Sequence, residues 1–266
     1  MPEHLDMLGM LTTEQRLDHR VGWRLGRSVG YAEFLARVRA WLERLRRTPG
    51  QAFALYLNDS IEFASALFGA WAAGKVVFLP GDTLPSTCAN LRQSVHGYLG
   101  EFASQWDPMV PAPQDEKFHG DAFDGLTGDF VGLVLFTSGS TGAPEAIPKK
   151  LSQMAREVAT LETLFGGLLG SAEVITTVSH QHIYGLLFNV LWPLAVGRAM
   201  RARSLSLPQE LPTALAEREA VLISSPAYLK RLPEHLAWAT TNRLRAVFSS
   251  GGPLSFDVAC EAKRLL

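Results

Sequence analysis

The sequence predicts an α/β fold built on largely parallel sheets. Short apolar runs of strand length alternate with apolar stripes at helical spacing, and turn signals made of Gly, Pro, Asp and Asn separate them. Size agrees with this. At 266 residues, 47% hydrophobic and 19% charged, the chain can bury a large core as one big domain or two moderate lobes.

The first helix is expected over 31–47, where Tyr31, Phe34, Leu35, Val38, Trp41, Leu42 and Leu45 share one stripe and Thr48-Pro49-Gly50 ends it. Residues 52–57 read as a buried strand. Asp59 and Glu62 form a capping pair for the next helix, which buries Ala64, Leu67, Phe68 and Trp71 and stops at Gly74. Residues 76–79 supply a second strand, completing a right-handed β-α-β unit. The stretch 81–130 is rich in Pro, Gly, Asp and Ser, with 108–113 a surface loop, and a lobe boundary is placed there: a first lobe over 1–128 and a second over 129–266. Beyond it come a strand at 131–137, a helix at 152–169, a strand at 174–178 and a strongly apolar helix at 183–194. Short strands follow near Ala199, at 221–224 and at 246–249. A last helix begins near Phe256 and is still running at Leu266 without a C-cap signal.

Composition excludes several classes. The formal charge of −1, from 25 basic and 26 acidic residues, does not mark a nucleic-acid binder. The densest basic run, Arg37 to Arg47, is interleaved with apolar residues as on a solvated helix face. Cys88 and Cys260 are far apart and have no His at metal-ligand spacing, so neither a disulfide framework nor a zinc site is expected, and no metal ligand is nominated. The N-terminus lacks the pattern of a signal peptide, and the apolar stretches are too short for a membrane span. A cytoplasmic location is the default expectation.

The chemically informative segment is Phe136-Thr137-Ser138-Gly139-Ser140-Thr141-Gly142-Ala143-Pro144, read as lying between a hydrophobic strand and a helix. Gly139 and Gly142 let the backbone turn tightly and expose successive N–H groups as an anion-binding concavity. Thr137, Ser138, Ser140 and Thr141 add four hydroxyls that can donate to phosphate oxygens. Few purely structural turns place so many donors in six residues. The segment is not a Walker A loop, because no Lys-Ser/Thr pair closes it, and this sets a P-loop kinase aside. It is neither a G-x-G-x-x-G fingerprint nor a G-x-S-x-G nucleophile elbow.

Residues 136–144 resemble the phosphate loop of the adenylate-forming superfamily, which includes acyl- and aryl-CoA ligases, peptide-synthetase adenylation domains and luciferases. That pattern is aromatic-Thr-Ser-Gly-Ser/Thr-Thr-Gly-x-Pro-Lys-Gly, met here at every defined position up to Pro144. Two further segments follow in the family's order. Ser179-His180-Gln181-His182-Ile183-Tyr184-Gly185-Leu186 resembles a Pro-Leu-Phe-His-x-x-Gly-Leu segment, and His182 falls on the histidine that borders the carboxylate of the bound acid. An imidazole there can hydrogen-bond a carboxylate and rotate as a gate, so the resemblance makes His182 the candidate catalytic residue. His180 is expected to be structural, a helix cap or a satisfied surface residue. Ser249-Ser250-Gly251-Gly252-Pro253-Leu254 resembles the Ser-Gly-Gly-Ala-Pro-Leu turn beside the adenine, which nominates Ser250, Gly251, Gly252 and Pro253 as nucleotide contacts. Tyr31-Ala-Glu-Phe-Leu, Asn58 and residues 73–80 match the opening lobe as architecture. The implied fold is two lobes of mainly parallel sheet flanked by helices, as in the N-terminal domain of those enzymes, here truncated.

The pattern breaks after Pro144. Glu145 stands where the family has Lys, and Ala146 where it has Gly. A carboxylate in place of that cation reverses a charge beside a polyanion. At about 4 Å and an effective dielectric near 20 this is worth several kcal/mol before solvent screening. Lys149 could supply the missing cation, or Lys149 and Lys150 could be solvated lysines at a helix start. The family's aromatic-Gly-x-Thr-Glu segment with its Mg²⁺-holding Glu, the ribose-binding Asp and the small C-terminal domain with its lysine are not in this sequence, which has roughly half the expected length.

The resemblance implies a parent enzyme that uses ATP, with Mg²⁺, to activate a small carboxylic acid as acyl-AMP. It passes the acyl group to coenzyme A or to the phosphopantetheine of an acyl carrier protein. An acyl or aryl acid is favoured over an amino acid, since no Asp lies in 180–195 to meet an ammonium group. This chain alone is expected to be nearly inactive and to need the missing C-terminal half as partner. A catalytically degenerate nucleotide- or acyl-binding module is the alternative.

Overall fold

The computed structural model describes residues 7–12, 19–112, 123–138, 144–236, 238 and 243–266. Its strands form two sheets. A five-stranded sheet has the order β5 (Gly97–Gly100), β3 (Ala52–Tyr56), β4 (Val76–Leu79), β6 (Val131–Ser138), β7 (Pro144–Lys150), parallel except for β7, which runs antiparallel to β6. A six-stranded sheet has the order β11 (Leu244–Ser249), β10 (Ala220–Ser224), β8 (Glu173–Thr176), β9 (Met200–Arg201), β1 (Arg20–Arg24), β2 (Arg27–Gly30), parallel except for the β1–β2 hairpin. Both are mainly parallel sheets flanked by helices, as expected.

Each sheet draws strands from both sides of residue 128, so the sheets do not follow the division expected there. The hairpin β1–β2 crosses to pair with β9 near residue 200, and β6 and β7 join the sheet of β3 and β4. Parallel pairing carries no mark of sequence proximity, so neighbours in space need not be neighbours in chain.

The helices follow their apolar periodicity. On α1 (Tyr31–Arg46) every residue of the expected stripe is buried. On α2 (Ser60–Ala72) all residues are buried except Glu62 and Ala72, because the helix contacts β3 and β4 of one sheet and β9 of the other. A helix apolar on all sides needs such an enclosed position. Asp59 caps it, accepting from the backbone N–H of Ile61 at 3.0 Å and of Glu62 at 2.8 Å. Glu62 does not complete the expected capping pair. Its carboxylate accepts from Arg37 Nε at 2.8 Å and Trp41 Nε1 at 2.7 Å, tying α1 to α2.

Helix α3 (Pro85–Leu91) follows β4, and α4 (Leu151–Leu169) follows β7. The apolar helix α5 (183–196) has a π-helical middle, Leu186–Leu191. Helices α6 (Leu211–Glu217), α7 (Pro226–Leu229) and α8 (Phe256–Leu265) complete the order. One core cluster joins α1, α2, α4, α5 and strands of both sheets. Among the described residues no helix is long and apolar enough to cross a membrane.

A buried ion pair locks α4 to the end of α5. Arg198 donates to both oxygens of Glu162, at 2.6 and 2.9 Å, and to the Gly170 carbonyl at 2.7 Å, while Trp192 Nε1 donates to Glu162 at 2.8 Å. Burial opposes ionisation of Glu162, but the bonds from Arg198 and Trp192 outweigh it and hold the carboxyl below its ordinary pKa. Removing one member leaves the other charged and unpaired. Glu162→Ala should therefore lower the unfolding free energy by about 3 kcal/mol in urea denaturation. Because the folded-state pKa is depressed, this stabilisation is present above the unfolded carboxylate value of about 4.3 and is lost as pH falls through the folded value. Glu162→Gln should accordingly flatten the acid limb of the stability curve.

Candidate functional site

Parallel strands send their carboxyl ends to one edge of a sheet, and ligands of open α/β sheets bind in the crevice there. Along this edge β4 leads into Pro80-Gly81, β6 into the glycine-rich segment, β8 into Thr177–His182, β10 into Ser225 and β11 into Ser250–Pro253. The edge is rich in hydroxyls. Thr177 Oγ1 and Ser224 Oγ lie 2.9 Å apart, and the N–H of Ser250 donates to the Ser224 carbonyl at 3.4 Å, aligning the turns after β8, β10 and β11.

His182 is exposed at the N-terminus of α5, without a capping hydrogen bond from its side chain. Its ring lies against Gly81: a Cβ added there would stand 3.1 Å from His182 Cε1. A residue after β8 of one sheet thus meets a residue after β4 of the other. His180 is not the capping or surface residue expected. It is 2% exposed, with Nε2 at 2.7 Å from the Leu57 carbonyl and its ring 4.3 Å from that of Phe63. Burial pulls its pKa down to about 4, so the ring is neutral around neutral pH.

The glycine-rich segment differs from its expected setting. Residues 139–143 lie outside the described residues, so the placements of Gly139, Ser140, Thr141 and Gly142 are not described; Thr137 and Ser138 belong to β6 by their backbone. The segment joins two antiparallel strands, with Ser138 opposite Pro144 and Thr137 opposite Glu145. It does not open a helix; α4 begins at Leu151, at the far end of β7. The two prolines of 144–148 disfavour helix, which leaves an extended edge strand as the alternative. Lys149 stands opposite Leu133, four residues beyond Glu145, about 13 Å along the strand. That exceeds the length of a lysine side chain. Lys150 pairs with exposed Asp129 at 2.9 Å.

Ser250, Gly251, Gly252 and Pro253 form an exposed turn after β11, with Gly251 in the left-handed region at φ 90°. A Cβ at either glycine would meet nothing within 4 Å, so the space beside this backbone is open. Among the described residues no three His, Cys, Asp or Glu side chains are grouped so as to hold a metal ion.

A family model described as "AMP-binding enzyme" matches residues 101–266. The chain belongs to that family. Solved structures with the same fold include ATP-bound MatB from Rhodopseudomonas palustris, with TM-score 0.78 and 20% identity over 98% of this chain and 58% of that one. They also include the amide bond synthetase McbA from Marinactinospora thermotolerans, with TM-score 0.76 and 19% identity over 98% of this chain and 57% of its own. O-succinylbenzoate coenzyme A synthetase (MenE) from Bacillus subtilis, in complex with AMP, has TM-score 0.77 and 16% identity over 99% of this chain and 71% of its own. At such identities the likeness is one of fold, and the chain spans under three fifths of the MatB and McbA chains. A search of curated proteins finds no match.

The helix that follows His182 carries an aromatic repeat that packs against the core. Tyr184, Phe188 and Trp192 are spaced by four residues, the repeat that stacks side chains on one helix face. They build an aromatic wall with Phe165 of α4 and Phe248 of β11: ring centroids are 4.9 Å apart for Tyr184–Phe188, 5.1 Å for Phe188–Phe248 and 5.0 Å for Phe165–Phe248. Two clefts of about 550 and 690 Å³ share Arg24 in their walls, and His182 lines neither. Ion pairs such as Arg24–Asp59 at 2.6 Å and Arg37–Glu62 at 2.8 Å span them, as on a structural surface.

The glycine three residues after His182 is fixed by close backbone approach. A Cβ at Gly185 would stand 2.1 Å from the Ser179 carbonyl oxygen and 2.7 Å from its carbon, neither of which can move alone. Gly185→Ala should therefore cost about 1–3 kcal/mol in thermal or urea unfolding, whereas Gly252→Ala, with open space around it, should melt like the parent.

Proposed function

We propose that this chain supplies the nucleotide and acid sites of an ATP-dependent ligase that activates a carboxylic acid as acyl-AMP and then hands the acyl group to a thiol. The observation that carries this reading is the Phe136–Pro144 segment, set at the carboxyl end of β6 within a chain of the AMP-binding family. In the activation step a carboxylate oxygen attacks the α-phosphorus of ATP, forming the acyl–phosphate bond as pyrophosphate leaves. There is little covalent work for side chains, so positioning and charge stabilisation dominate. Hydroxyls and backbone N–H groups of 137–142 hold phosphate oxygens, the open turn Ser250–Pro253 lies along the adenine, and His182 faces the acid's carboxylate. An apolar acyl or aryl acid is favoured over an amino acid in this reading, since no Asp lies in 180–195 to meet an ammonium group. The acceptor thiol is coenzyme A or a carrier-protein phosphopantetheine, and the setting is cytoplasmic.

Glu145 favours a second reading, a nucleotide- or acyl-binding module with little turnover. It is exposed and stands opposite Thr137, next to the segment that holds phosphate in this proposal. Solvent screens part of the repulsion, which leaves an effect on the order of tenfold, or about 1.4 kcal/mol. Glu145→Lys should tighten ATP binding by about that factor in calorimetry, and Thr141→Ala should weaken it. ATP binding that ignores both substitutions would sink the assignment of this segment. Carboxylate-dependent ATP–pyrophosphate exchange is expected to be near background for this chain alone, and exchange at an ordinary enzyme rate would reject the low-turnover reading.

A further inference from the structure

His182 is held by a buried polar knot beneath it. Leu57 O can only accept, so His180 carries its proton on Nε2 and donates to that carbonyl at 2.7 Å; Gln181 Nε2 gives it a second bond at 3.2 Å. His180 Nδ1 is then an acceptor, filled by the hydroxyl of Ser60 at 3.2 Å, and Ser60 Oγ accepts in turn from Asn189 Nδ2 at 2.9 Å. The direction of each bond follows from the one before, so tautomer and amide orientation are both determined. All four residues are at most 2% exposed. They belong to three segments: the exit of β3 and start of α2, the turn after β8, and the π-helical stretch of α5.

Burying four polar side chains is unfavourable unless each is bonded, and apolar residues of similar volume would fill the same space without that demand. What the polar set adds is direction. His180 points inward and anchors the turn to Leu57, while two residues on His182 points outward against Gly81. The π-helical stretch brings Asn189 to Ser60, and such stretches are frequent at functional sites.

We propose that His180 is a positioning residue for His182, fixing its ring against Gly81 through the bonds to Leu57 and Ser60. The proposal rests on the reading of His182 as the residue that faces the acid's carboxylate.

The test uses the whole chain labelled with ¹⁵N-histidine. In the parent, His180 should show the neutral Nε2–H tautomer from pH 5 to 8, and His182 Hε1 should give a nuclear Overhauser contact to Gly81 Hα. His180→Ala should abolish that contact and raise the rate of His182 modification by diethyl pyrocarbonate severalfold, with the cooperative melt retained. His180→Gln, whose amide nitrogen can still donate to Leu57 O while its oxygen accepts from Ser60 Oγ, should restore the contact. If His180→Ala does not fold, Ser60→Ala removes only the hydroxyl and should show the same loss. An unchanged contact and unchanged reactivity in the folded variant, or no rescue by glutamine, would overturn the proposal. None of these readouts needs ATP or an acid, so they stand apart from the adenylation reading. That reading fails separately if benzoate titration leaves the His182 resonance unmoved.

Discussion

The burial of α2 between the two sheets is the constraint on which the rest of the structure depends. Phe63, Leu67, Phe68 and Trp71 are all at most 3% exposed, and each fully buried side chain of this size contributes roughly 1.5–3 kcal/mol. The helix touches β3 and β4 on one side and β9 on the other, so neither sheet can shift without opening its core. Its N-terminus is fixed as closely as its flanks. Asp59 caps it and pairs with Arg24 of β1, and the N–H of Ser60 donates to the Ala202 carbonyl at 2.7 Å, just after β9. One helix end therefore sets how the carboxyl edges of the two sheets face each other, and the candidate site lies on those edges.

Charge and geometry separate at the glycine-rich hairpin. The strand β6 delivers the hydroxyl-bearing segment to the edge through its register with β4, from Val77 opposite Leu133 to Leu79 opposite Leu135. That delivery is a matter of sheet pairing and is indifferent to Glu145. Phosphate affinity is a matter of charge, and the same register puts Glu145 near the segment while holding Lys149 four residues away. Strand pairing and charge at this edge thus rest on different residues.

Elements dominated by one apolar period were legible in the sequence. The stripe from Tyr31 to Leu45 gave α1 within a residue, and the short apolar runs at residues 76–79 and 131–137 gave β4 and β6 nearly as found. Elements whose stability comes from their partners were not. The hairpin β1–β2 has the sequence Arg20-Val-Gly-Trp-Arg and Arg27-Ser-Val-Gly, with few apolar residues, and is held by pairing with β9 some 180 residues on. The strand β7 is polar and contains two prolines, and only its ladder with β6 makes it a strand. His180 was misplaced at the surface for the same reason. A histidine becomes a core residue only when carbonyl and hydroxyl partners from distant segments, here Leu57 and Ser60, are in place.

That last case bears on how the site was assembled. His180 and His182 differ by two positions in a single turn, yet one is 2% exposed and uncharged around neutral pH while the other is open to solvent. Local sequence cannot separate them, since both flank the same glutamine. The separation comes from Leu57, whose carbonyl lies past the end of β3 with no strand partner to satisfy it and accepts from His180 and Gln181 instead. A backbone acceptor left over at a strand end needs a donor once α2 covers it. Meeting that need with the residue two before His182 turns a requirement of folding into a means of aiming a ring.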